Sequence, residues 1–294
     1  MNIHSLVSIG IPVFNEERFL SQTLDSLLAQ DYSNFEIIIC DNASTDKTGE
    51  IAQKYAEKDS RIKYHLNESN IGGTRNFNKT FLLSSGKYFM WASGHDLYDK
   101  SFISKCLNIF KAENKVVLVY PITSSIDCEN NNLGKMPGRL DTRALNISRK
   151  LHCILWGIPN GNPVYGLIQR NAMEKTLIFQ NVLGMDLVFL LELSLVGDFA
   201  HISEELFYRR ETHLEEKNES ANQRRLNHTH LKKISGASLL PYWYLVYKNL
   251  MVIKKINLNK FKKTGLFVSI FFNLIIIYGL AMLRDLKKIW GKII

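Results

Sequence analysis

Two apolar runs that end abruptly in polar residues constrain this chain more than any other feature. The first is Val7-Ser-Ile-Gly-Ile-Pro-Val-Phe-Asn-Glu-Glu17 and the second is Glu36-Ile-Ile-Ile-Cys-Asp-Asn-Ala-Ser-Thr-Asp46. A run that is apolar at nearly every position belongs to a strand buried on both faces. Polar residues at its carboxyl end are then delivered into a crevice beyond the sheet. Strand-like runs at residues 62–65, 88–92 and 116–120 follow, alternating with helical patterns. A first helix is expected over residues 18–29, with Phe19, Leu20, Leu24, Leu27 and Leu28 on one face and Asn15 as its cap. A second is expected to start near Ser44 or Asp46 and to turn Ile51, Ala52 and Tyr55 inward. Such alternation predicts an α/β fold, a mostly parallel sheet with flanking helices.

At 294 residues and 46% hydrophobic composition the chain buries one large core or two modest ones, which excludes disordered and fibrous classes. The net charge of +9 is unevenly placed. Five lysines fall within residues 254–263, and Arg284, Lys287, Lys288 and Lys292 follow at the end. Between them, residues 265–283 carry no charge, and Asn273 is the strongly polar interruption. At about 1.5 Å per residue a helix of this length just reaches across a hydrocarbon layer, so an anionic membrane surface is the expected partner and nucleic acid is not. A helix lying along the interface is the alternative geometry, and basic clusters at both ends leave the orientation open. The aromatic segment Ala237-Ser-Leu-Leu-Pro-Tyr-Trp-Tyr-Leu-Val-Tyr247 suits the same interface. Cys40, Cys106, Cys128 and Cys153 form no close pair, and no secretory leader precedes Val7, so the cytoplasmic side of a cell membrane is the expected location.

Periodicity fades over residues 121–149, which predicts a loop or domain joint. It resumes at Ile154-Leu-Trp-Gly-Ile-Pro-Asn-Gly-Asn-Pro-Val-Tyr-Gly166, and Asp186 then opens a helix with Leu187, Leu190, Leu191 and Leu195 at helical spacing. Three parts are expected: residues 1–125, 126–215, and a helical membrane-associating region at 216–294.

The strand ending near Pro12 is not followed by G-x-G-x-x-G, and G-x-x-x-x-G-K-[ST] does not occur, so the common phosphate cradles are absent. Acidic and amide residues stand there instead. A carboxylate such as Asp41 at a strand end can accept from a base imide N–H, with Phe14 stacking on the base; it can equally cap a turn. In Asn70-Ile-Gly-Gly-Thr-Arg-Asn76 the glycines permit close approach of backbone to a ligand, and Arg75 offers a planar fork of donors.

Together, Pro12-Val-Phe-Asn-Glu16, Asp41-Asn-Ala-Ser-Thr-Asp46 and Asn70-Ile-Gly-Gly-Thr-Arg-Asn76 resemble the nucleotide-sugar half of family 2 glycosyltransferases of the GT-A fold. The likeness covers roughly residues 5–125 and runs more loosely to about 215. It implies a GT-A-like Rossmann-type sheet and a pocket for a nucleotide-sugar donor, expected to be UDP-linked, lined by Pro12, Phe14, Glu16, Asp41 and Arg75. It also implies inverting transfer to a glycan or lipid-linked acceptor, with Asp186 as general base. A divalent cation, manganese or magnesium, is implied at Asp96.

Two departures stand out. Where the family commonly presents paired acidic residues, this chain has Ser93-Gly94-His95-Asp96, so His95 either assists at the metal or hydrogen-bonds a ribose or neighbouring group. Where the family commonly has Glu-Asp, this chain has Met185-Asp186. Leu206-Phe-Tyr-Arg-Arg-Glu-Thr-His213 resembles the family's closing strand and loop, which implies Arg209, Arg210 or His213 as partners of the diphosphate leaving group. The altered acidic motif keeps a catalytically silent nucleotide-sugar binder in view, and a nucleotidyltransferase is a lesser rival.

Overall fold

A computed structural model describes residues 5–138, 140–157, 162–211, 240–256 and 259–293. Its centre is a nine-stranded mixed sheet in the order β3-β2-β1-β4-β8-β6-β9-β5, with β7 paired to β6. The strands are β1 (Val7–Val13), β2 (Phe35–Asp41), β3 (Ile62–Leu66), β4 (Tyr88–Trp91), β5 (Leu97–Tyr98), β6 (Val116–Ile126), β7 (Asn132–Lys135), β8 (Leu167–Gln169) and β9 (Asp198–Arg210). β1 to β4 pair in parallel, as their unbroken apolar character predicts. β8 then enters antiparallel between β4 and β6.

The two-residue period of a strand sorts side chains between two cores. In β4, Tyr88 and Met90 enter the cluster beneath α1 (Leu20–Leu28), α2 (Thr48–Lys58) and α4 (Phe102–Ala112). Phe89 and Trp91 enter the other, with α3 (Gly73–Leu82), α5 (Ile147–Gly157) and α7 (Met185–Ser194). There Trp91 stacks on Phe179 with ring centroids 4.3 Å apart and meets Phe89 edge-on at 5.1 Å. A short α6 (Arg170–Met173) follows β8. α7 is buried nearly all round. Its Glu192 is neutralised by Lys255 Nζ at 2.7 Å and accepts the Leu177 N–H at 2.8 Å.

Three local expectations change. Asn15 does not cap α1: its backbone is left-handed (φ 57°), and its side-chain oxygen accepts the Thr45 N–H at 2.9 Å, tying the loop after β1 to the loop after β2. β6 runs beyond residue 120, because Pro121 sits where the β6–β9 ladder shifts register, a place that tolerates a missing N–H. The expected loop at 121–149 also contains β7, a fully exposed strand closing a hairpin around Asp127, which accepts the N–H groups of Glu129 and Asn131.

From residue 240 onward the described residues form two helices, α8 (Pro241–Lys254) and α9 (Lys260–Ile293). Among the described residues, one helix, Lys260–Leu286, is long and apolar enough to cross a membrane. Leu245, Leu250 and Ile253 of α8 and Leu266, Ile270 and Leu274 of α9 share the core that holds α5 and α7.

Candidate active site

The carboxyl ends of β1, β2 and β4 converge, and the loops leaving them are tied by side chains rather than by sheet bonds. Asn42 at the end of β2 anchors an amide network. Its oxygen accepts the Ile71 N–H and the Asn67 side-chain N–H, at 2.9 and 3.1 Å, while its own amide N–H donates to Asn70 at 2.9 Å. Asn67 also donates to Asn76 at 2.9 Å, and Asn76 donates to the Cys40 carbonyl at 2.8 Å. The network holds the start of α3, where Gly72 has φ 90° and ψ 150°, a conformation open to glycine and strained for other residues. Arg75, one turn into α3, is exposed and makes no hydrogen bond or ion pair with the described residues.

Phe14 is 45% exposed at the mouth, and Pro12 is half-buried beneath it. Asp41 lies deeper. One carboxylate oxygen accepts the Ser44 N–H at 2.9 Å and the other accepts the Tyr64 hydroxyl at 2.9 Å. Burial, with Asp41 beside it, pushes the Tyr64 phenol up to about 12. Asp41 therefore does cap the turn, and any role toward a base uses its remaining lone pairs.

Glu16, His95 and Asp96 form one cluster. His95 Nδ1 lies 3.0 and 3.1 Å from the two Glu16 oxygens, and its Nε2 lies 3.9 Å from Asp96 Oδ1. Burial alone would push the imidazole down, but the Asp96 charge and the Glu16 hydrogen bond outweigh it and hold His95 up at about 9. Asp96 is buried and pinned by the Arg210 backbone N–H at 2.8 Å. Burial pushes its carboxyl up, against the pull of His95 and that N–H. Gly94 is needed because a Cβ there would press on Glu16 Cγ and Val13 Cγ1 at 3.0 Å.

Tyr165, which the sequence does not single out, joins this cluster to the other half. It is half-buried, hydrogen-bonds Ser93, and lies within the fields of Asp96, Arg209 and Asp186; desolvation pushes its phenol up. Asp186 stands half-buried in the first turn of α7. Its Oδ1 accepts the Leu187 N–H at 2.9 Å, and its second oxygen carries no hydrogen bond to the described residues. Met185 Sδ meets Thr74 Oγ1 at 3.3 Å, so the departure at Met185 packs the start of α7 against the start of α3, one residue from Arg75.

The two arginines of β9 have different fates. Arg209 is partly exposed and donates to Asn162 Oδ1 at 2.8 Å. Arg210 corrects the expectation from sequence, because its guanidinium is 2% exposed and already engaged. It donates to the His95 and Asp127 carbonyls, to Gln22 and to Asn130, and it lies 4.3 Å over the Phe19 ring. It braces the cluster from behind, with four of its five N–H donors already bonded. His213 lies outside the described residues. A separate cleft of about 490 Å³ at the far ends of β6 and β9, lined by Lys115, Lys150, Gln169, Lys175 and Asp198, contains none of these groups.

Against known proteins, residues 8–177 match the model of Glycosyl transferase family 2, more than half of the chain. The chain belongs to this family. An uncharacterized glycosyltransferase of Rickettsia typhi is 38% identical over 157 residues, 52% of this chain and 48% of the relative. An uncharacterized glycosyltransferase of Haemophilus influenzae is 28% identical over 187 residues, 64% of this chain and 71% of the relative. The chain thus spans about half the length of its Rickettsia typhi relative. The fold matches S. aureus TarS 1–349 in complex with UDP-GlcNAc, with a TM-score of 0.69 and 16% identity over 92% of this chain and 72% of that one. It also matches the mannosyltransferase PcManGT of Pyrobaculum calidifontis, in complex with GDP-Man and Mn2+, with a TM-score of 0.55 and 14% identity over 91% and 80%. The GT-A fold of this family 2 member is therefore as its sequence predicts.

Proposed function

We propose that this glycosyltransferase transfers a sugar, with inversion, from a UDP-linked donor to a lipid-linked or polysaccharide acceptor at the cytoplasmic face of a membrane. The observation that supports the reading is a juxtaposition: Thr74, beside Arg75, meets Met185, beside Asp186, and the Tyr165 phenol lies within the fields of both Asp96 and Asp186. Phe14 and Pro12 would receive the base, while Arg75 and Arg209 would meet the diphosphate. Asp186 would take the acceptor hydroxyl proton as the new glycosidic bond forms and the bond from the anomeric carbon to the phosphate oxygen breaks.

The residues present suit a divalent cation in part. His95 offers Nε2 toward Asp96 while its other nitrogen is held by Glu16, the outer-shell arrangement common around a metal-bound histidine. Among the described residues no group of three metal-binding side chains gathers, so most ligands would come from the donor phosphates. Asp96 would hold the ion, His95 would join it only on losing the proton that Asp96 and Glu16 favour, and the ion's charge would stabilise the departing diphosphate.

The acceptor would approach beside the start of α7, where one Asp186 oxygen carries no hydrogen bond to the described residues. Ser93 and His95 in the acidic motif support a second reading, a family member that binds nucleotide sugar without turning it over. Calorimetric titration across a panel of nucleotide sugars, with and without manganese, identifies the donor, and donor hydrolysis separates the two readings. Failure of every nucleotide sugar to bind the folded protein refutes both.

A further inference from the structure

The 34-residue α9 has two apolar faces with different fates. One is packed. Leu266, Ile270, Leu274 and Met282 enter the core, and polar bonds tie the helix to the domain along its length. Trp156 of α5 donates its indole N–H to Asn273 at 3.2 Å, and Trp243 of α8 donates to the Met282 carbonyl at 3.2 Å. The buried Asp285 carboxylate accepts the Tyr242 N–H at 2.9 Å, in the first turn of α8. The other face is bare. Val268, Phe272, Ile276, Leu280 and Leu283 recur every four or three residues as one exposed stripe, with Phe272, Ile276 and Leu280 exposed by 59, 70 and 78%.

A helix that crosses a bilayer is surrounded by lipid along some 20 residues and leaves its domain at one end. α9 instead has the domain along one side. Crossing with these contacts intact would carry α5 and its Asn273 bond into hydrocarbon. Crossing would also send one basic end to each side, with Lys260 and Lys262 at the start and Arg284 near the end of the stripe, whereas an in-plane helix leaves both ends on one surface. Those cations complement acidic headgroups, and the acidic residue beside the stripe, Asp285, is buried.

We propose that α9 lies in the plane of one leaflet of an anionic bilayer, its stripe sunk to the boundary between headgroups and acyl chains, with the catalytic domain seated above it. Exposed Trp243 and Tyr247 of the adjoining α8 add interfacial anchors. The inference rests on the membrane part of the reading above and is independent of the transfer chemistry.

The test uses the full chain and vesicles of phosphatidylcholine with and without phosphatidylglycerol. Co-sedimentation is expected with the anionic vesicles and to weaken in high salt. The double variant Phe272→Glu and Ile276→Glu is expected to lose binding by about tenfold or more while keeping its helical circular dichroism and nucleotide-sugar affinity. Depth and topology come from two further variants. Quenching by lipids brominated near the headgroup is expected to be greater for Phe272→Trp than for the wild-type chain, whose Trp243 already reports the interface. Cysteines placed at Lys260 and Leu286, in a chain with Cys128 and Cys153 replaced by serine, are expected to react with an impermeant maleimide from the same side. Labelling from opposite sides means that α9 crosses, and a stable dimer that ignores vesicles means that a second copy covers the stripe; either overturns the proposal. Loss of nucleotide-sugar binding in the wild-type chain would strike the transferase reading and leave this one standing.

Discussion

The half of the sheet built from β1 to β4 and the half built from β5 to β9 reach the same cleft by different means. In the first, each strand runs parallel to its neighbour and its end is held by short-range polar ties: Asn42, Asn67 and Asn76 among themselves, Asn15 to Thr45, Asp41 to Ser44. In the second, position comes from distant pairing and packing. β8 wedges between β4 and β6, β9 returns alongside β6, and Asp186 is placed by a helix buried nearly all round. A polar lattice therefore shapes the side expected to receive the donor, and apolar packing shapes the side expected to receive the acceptor. Damage to the two should look different.

The largest effect is expected at Asp186. Asp186→Asn removes a proton acceptor without disturbing the apolar surroundings of α7. Transfer should fall on the order of a hundredfold or more, with donor affinity unchanged. Product formation and calorimetric titration of the same sample check this, and near-normal transfer would move the base to another carboxylate. Asn67→Leu tests the lattice. It removes the bonds to Asn42, Asn76 and Lys79 and leaves the buried Asn76 oxygen unpaired, which should cost about 2 kcal/mol by chemical denaturation and also weaken donor binding. If donor affinity survives, the lattice supports the fold but not the pocket.

Asp41→Ala is expected to weaken donor binding by about tenfold, the scale of one charge-assisted hydrogen bond. Titration against UDP-sugars decides whether Asp41 does more than hold its turn. The smallest effect is in pH dependence. Because His95 is held up at about 9 against an ordinary 6.5, its charged pairing stabilises the fold fully below about 6.5 and loses that contribution as pH rises through about 9. Melting temperature should decline across that window, and His95→Gln should flatten the decline. A variant that still declines equally would assign it to other groups.

The same contrast decides how much could be read from sequence. The parallel half was legible because burial on both faces writes itself as an unbroken apolar run, and because Asn42, Asn70 and Asn76 lie in compact motifs. On the other side only Asp186 offers a local signal, an acidic residue before a helical run, and its role there is the proposal above. Tyr165 carries no local mark, since its importance comes from Asp96 and Asp186, 69 residues before it and 21 after it. Arg210 misled for a related reason. Adjacent arginines in one strand look alike in sequence, yet neighbouring strand positions face opposite ways, and the one facing inward met Phe19, Gln22, Asp127 and Asn130. β6 was cut short because Pro121 reads as a stop unless a register shift in its partner strand is known.

The insertion of β8 also bears on the order in which the molecule comes together during synthesis. Tyr88 and Phe89 pair with Gln169 and Ile168, and Leu118 and Val119 pair with Ile168 and Leu167. When the first four strands have left the ribosome, the outer edge of β4 is still an apolar strand with unpaired peptide groups, and the two residues that pair with it, Ile168 and Gln169, are made roughly 80 positions later. That interval is the vulnerable one, because an open edge invites pairing with another nascent chain. A chaperone that shelters β4 until Ile168 and Gln169 emerge would act on that interval.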